Sequence, residues 1–177
     1  MSKRKRFIIL VALLLVSSNI FILVKLYNDN HSLRDQQGII IHNNILNISG
    51  TVSDARKDLP CKNSSKQYRY YWQFNEFTKL DLPFSIMAYS TNIRNEYNEL
   101  IKLSEGNSSQ EEINKKNNDL ELHLSKFQTA LALIMKECSG TDYIKFYSLY
   151  SEGNTNTTMK SVMKILTEDV TGSTSKK

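Results

Sequence analysis

The chain has 177 residues, 40% apolar and 23% charged, with 17 aromatic side chains (1 Trp, 9 Tyr, 7 Phe), material for one unit of ordinary size and too little for two large domains. Six Gly and two Pro supply few of the tight turns that sandwiches, barrels and Gly-rich nucleotide loops need, so an all-α chain is expected. The formal charge of +5 sits at the ends: Lys3, Arg4, Lys5, Arg6, Lys25, Lys176 and Lys177 carry the excess, and 16 basic against 18 acidic residues remain between positions 28 and 175. Without a basic stripe there is no large release of phosphate counterions, and no nucleic-acid partner is expected.

From the N-terminus, the KRKR cluster precedes FIILVALLLVSSNIFILV, residues 7–24, which carry no charge. As a helix, residues 7–27 extend about 31 Å, the thickness of a hydrocarbon core. The positive-inside rule predicts a transmembrane anchor with residues 1–6 as a cytoplasmic basic tail and the rest extracytoplasmic, with a bacterial inner membrane facing the periplasm as the favoured setting. The competing reading is a cleaved secretory signal ending near Val16-Ser17-Ser18. It would leave an exposed IFILV at the new terminus, so an uncleaved anchor is favoured. Ser17 and Ser18 are read as bonding their own backbone and Asn19 as merely tolerated, rather than as bonding a second helix.

Beyond the anchor, Ile41, Ile45, Ile48, Val52, Ala55 and Leu59 repeat at alternating steps of four and three, the seam of a helix that Pro60 stops. Leu26, Leu33 and Ile40 hold a seven-residue interval that allows this helix to run on from the anchor. Pro83 opens a second helix over 84–104 (Ile86, Tyr89, Ile93, Tyr97, Leu100, Leu103), ended by Glu105-Gly106-Asn107. Ser109 and Glu112 form a capping box before the longest seam, Ile113 to Cys138, which predicts a helix over 110–138. Asn117 stands on that seam and is expected in solvated first turns. Glu111, Glu112, Lys115, Lys116 and Asp119 read as the wet face of the same helix. Shorter helices are expected at 142–152 and 157–169, and a disordered tail at 172–177. The extracytoplasmic domain, residues 28–171, is therefore an antiparallel helical bundle. The heptads also allow a coiled-coil homodimer, but the widened apolar faces favour packing within one chain.

Two cysteines, Cys61 and Cys138, are too few for a zinc site and are expected to form a disulfide in an oxidising compartment, stapling the ends of two seam helices. Five Asn-x-Ser/Thr sequons (Asn30, Asn47, Asn63, Asn107, Asn156) are near the number chance supplies.

The densest feature is YRYYWQFNEF. Tyr68, Arg69, Tyr70, Tyr71, Trp72, Phe74 and Phe77 form a candidate partner or ligand face, weighed against a plain core role. Alternation there fits a strand, i/i+4 spacing fits a helix, and the helix suits the rest of the chain. Glu76 and Asp81 beside the rings are expected to be solvated or paired with Lys79 or Arg69 rather than to act as a catalytic pair. His31, His42 and His123 stand in no metal or hydrolase motif, and no cofactor, metal or reaction is expected.

A membrane helix leading into an up-and-down bundle is similar in outline to the four-helix ligand-binding region of bacterial chemoreceptors, which implies small-ligand sensing. The chain departs from that family in having no second membrane helix. The favoured expectation is a membrane-anchored interaction or scaffold protein, an accessory subunit bound to another envelope protein. A sensor acting through a partner, or an inhibitor or immunity protein, are the alternatives.

Overall fold

In a computed structural model of the chain, residues 3–139 and 142–168 are described, with side chains from Leu13 onward. Six α-helices and a 3-10 turn at Gly153–Thr155 make an all-α fold without a strand among the described residues. They are α1 (Lys3–Lys57), α2 (Ser64–Phe77), α3 (Phe84–Glu105), α4 (Gln110–Glu137), α5 (Ile144–Glu152) and α6 (Thr157–Thr167).

Local chemistry sets most of the boundaries. The Ser109 hydroxyl accepts the Glu112 N–H while the Glu112 carboxylate accepts the Ser109 N–H at 2.8 Å, so two of the four orphan donors at the start of α4 are satisfied. Asn63 caps α2 by accepting the Ser65 N–H, and Asn156 caps α6 by accepting from Thr158 and Met159. Pro83 precedes α3, where its fixed φ suits a helix entry and its missing N–H costs nothing.

The last third of α1 and helices α2, α3 and α4 run up, down, up and down around one core. The buried seams are Ile41, Ile45, Ile48, Val52 and Ala55 of α1, Tyr70, Phe74 and Phe77 of α2, Ile86 to Ile101 of α3, and Leu120 to Ile134 of α4. Both heptad seams are thus consumed within one chain, which takes away the apolar stripe a coiled-coil dimer through them would need. After α4, α5 crosses the lower part of α1, where a Cβ on Gly38 would lie 1.9 Å from the Tyr143 carbonyl oxygen. Only a residue without a side chain permits that approach. His42 fills the same junction edge-on to Tyr143 and Phe146. Helix α6 returns along α4 and buries Met159, Val162 and Leu166.

Below the bundle α1 continues as a single helix, and residues 13–34 are exposed on every side. The continuity expected from the seven-residue interval is present, but the anchor is not. Among the described residues no helix is long and apolar enough to cross a membrane. Within the described side chains the apolar run is interrupted by Ser17, Ser18 and Asn19 and closed by Lys25. The single-pass membrane placement, and the assignment of residues 28–177 to the far side of a membrane, are corrected accordingly. The side chains of residues 7–12 and the 172–177 tail lie outside the described residues. Ser17 donates to the Leu14 carbonyl of its own helix, as expected, and Asn19 likewise donates to the Leu15 carbonyl.

The disulfide is a second correction. Cys61 and Cys138 are both buried free thiols. The Cys61 N–H donates to Asn117 Oδ1 at 2.8 Å near the start of α4, whereas Cys138 caps its far end. The 21 residues between Asn117 and Cys138 rise about 31 Å, beyond any Sγ–Sγ bond. The expectation placed both cysteines at one tip because each follows a seam helix. Antiparallel packing of α1 on α4 sends those two ends apart.

Candidate functional site

Helix α2 resolves the aromatic segment into two faces. Tyr70, Phe74 and Phe77 point inward, with Tyr97 of α3 stacked on Phe74 and tilted against Tyr70. Tyr68 and Trp72, four residues apart and therefore on one helix stripe, point outward and stay 41% and 57% exposed. Tyr71 lies half-buried at the margin, its ring edge-on to Trp72. The seven predicted face residues are thus brought together on one element but divided between core and surface.

A charged hub fixes the upper end of this face. Asp58, just past α1, accepts from Lys66 Nζ at 2.7 Å, Arg69 Nη2 at 2.9 Å and the Tyr70 hydroxyl at 2.7 Å. The Lys66 and Tyr70 hydrogen bonds hold its carboxyl below the usual carboxylate range. Burial, then the bond to Asp58, pushes the Tyr70 hydroxyl up to about 12. The Arg69 guanidinium lies 4.5 Å from the Tyr70 ring centroid, adding a cation–π contact. As expected, Glu76 pairs with Lys79 at 2.6 Å and Asp81 is exposed, while Arg69 turns to Asp58. The Tyr68 hydroxyl donates to Glu105 at the end of α3.

A second polar cluster was missed by the sequence reading. In a groove of about 350 Å³ between α3, α4 and α6, His123 Nδ1 lies 2.5 Å from Glu96 Oε1 and Lys116 Nζ lies 2.5 Å from Glu99 Oε2. Lys116 is also 4.0 Å from Glu96 Oε2. The side chains of Glu96 and Lys116 are only 14% and 17% exposed, so Lys116 does not belong to the wet face expected of it. Tyr89 donates to the His123 carbonyl at 3.3 Å, and burial together with the Glu96 charge pushes its hydroxyl up to about 12. Leu166 and Thr167 of α6 close the lower end, where Lys126 donates to the Glu168 carbonyl. The only signal in the sequence was Glu96 with Glu99 on one helix and Lys116 with His123 on another, at spacings of three and seven; pairing them requires the register of two helices.

Among the described residues no group of three His, Cys, Asp or Glu side chains is placed to hold a metal ion. Comparison with protein-family models, with curated proteins and with solved structures found no match.

Proposed function

We propose that the chain is an interaction module that docks a partner protein on the outer face of α2. The observation that carries this reading is Trp72, more than half exposed on a helix whose opposite face is fully buried. A bundle of this size has room for Trp in its core, and Trp and Tyr held in water are the residue types that dominate binding hot spots. Tyr68 is tethered by Glu105 and Arg69 by Asp58, so both are ordered before a partner arrives, which lowers the entropic cost of docking.

The partner's chemistry follows from the charge around the rings. Lys62, Lys66 and Arg69 outnumber Asp58 and Glu105, leaving this end of α2 positive. An acidic segment of another protein, with an apolar side chain to cover Trp72, fits that surface. A photo-crosslinking residue placed at position 72 in the producing cell is expected to give a discrete protein adduct that disappears when Lys66 and Arg69 are changed to Glu. The same residue at exposed position 121 on α4 serves as the control. Identical adducts from both positions, or an adduct indifferent to the charge reversal, would contradict docking through this face.

A further inference from the structure

We infer that the lower part of α1 pairs with a second copy of this chain, as a parallel two-stranded coiled coil over residues 16–40. This contact is separate from the α2 face, and either can hold without the other.

A lone helix in water is marginal even with favourable side chains, and this one also carries large apolar groups that no core covers. The two seams buried in the bundle take no part. A third lies below them: Leu23, Leu26, Asn30, Leu33, Gln37 and Ile40 follow at alternating steps of three and four, and the same steps reach back to Val16, giving the a and d positions of about three and a half heptads. All of these side chains are exposed, the apolar ones by more than half. Leu33 lies about 140° round the helix from Gly38, where α5 makes its closest approach, so the seam is turned away from α5. It ends at Ile40, just below the point where Asn44 donates to the Asp81 carbonyl and the bundle begins.

Charge says what covers this seam. In its register Asp29 is a g position and Arg34 the e position of the following heptad. Parallel helices bring g of one chain to the e position five residues on in the other, so Asp29 of each copy meets Arg34 of its partner, twice by symmetry. Antiparallel pairing sets e against e and g against g and forfeits both ion pairs. Within one helix, residues five apart do not face each other, so the two charges are complementary between chains and not inside one. Both side chains are exposed, and the Arg34 guanidinium rests over the Tyr147 ring at 5.8 Å, on the flank of the seam. Asn30 at an a position meets its own copy in the same register, the polar choice that fixes register and strand number at some cost in stability.

Sedimentation equilibrium of the full chain is expected to give a dimer. Asp29→Arg and Arg34→Asp each set like charges opposite one another at two symmetric positions, and each should weaken the dimer by about tenfold. Mixed in equal amounts, the two variants should recover it, because one then presents only positive and the other only negative charge at positions 29 and 34. A role for either residue inside its own chain cannot produce that rescue. Orientation is read separately: Asn30→Cys places thiols at facing a positions and should yield a disulfide-linked dimer under mild oxidation, whereas Asn28→Cys, on the outer face of the coil, should not. A monomeric parent, single chains carried in detergent micelles, open-ended aggregates, a mixture no better associated than either variant alone, or equal crosslinking at positions 28 and 30 would overturn the assignment.

Discussion

At the scale of single residues, polar groups that the bundle encloses define its weak and strong points. Asp58 joins three donors, two of them cationic, at the junction of α1 and α2. Because its carboxyl is held below the ordinary value, its contribution to stability is present above the unfolded-state pKa and is lost as pH falls through the folded-state value. Asp58→Asn should therefore lower the denaturation midpoint at pH 7, and the gap to the parent should close on acidification, as read by chemical denaturation at a series of pH values. Asn117 is the residue the sequence misplaced. It was expected in solvated turns, yet it is buried, accepting from the Cys61 backbone and donating to the Ile113 carbonyl at 2.9 Å. Asn117→Ala leaves the Cys61 N–H unpaired in the interior and should cost about 1 to 3 kcal/mol, measurable in the same denaturation experiment.

At the scale of elements, caps and periodicity carried most of the information. The capping box at Ser109 and the alternating seam located α4 to within a residue, and Pro83 marked the start of α3. Periodicity could not choose between strand and helix over residues 68–77, because a short run with aromatics on both sides satisfies both patterns. Packing of Tyr70 and Phe74 against Tyr97 decides for the helix, with one face left over. Gly38 shows the same limit. Its sequence context reads as a weak point in a helix, whereas its position opposite Tyr143 makes it the contact that lets α5 lie on α1. Gly38→Ala forces the Tyr143 backbone outward. It should release α5 while α2, α3 and α4 keep their packing, seen as faster amide exchange confined to residues 143–155, at a cost of about 1 to 3 kcal/mol.

For the whole molecule, the direction in which helices run decides which residues meet, and a single sequence does not state that direction. The antiparallel course of α1 and α4 separates Cys61 from Cys138, and that of α3 and α4 brings Glu96 to His123 and Glu99 to Lys116. Thiol titration of the unfolded, unreduced chain should accordingly find two free thiols, and Cys61→Ala with Cys138→Ala should fold without added reductant. A disulfide-linked peptide containing both cysteines would show that the helices meet differently. The same topology divides the aromatic run into a core stripe and an exposed pair, on which the docking proposal rests. Trp72 is the only tryptophan, so its fluorescence in the folded full chain tests that division most directly. A red-shifted emission readily quenched by acrylamide is predicted, together with intact helical circular dichroism. A blue-shifted emission shielded from acrylamide would place Trp72 in the interior and contradict the outward face of α2.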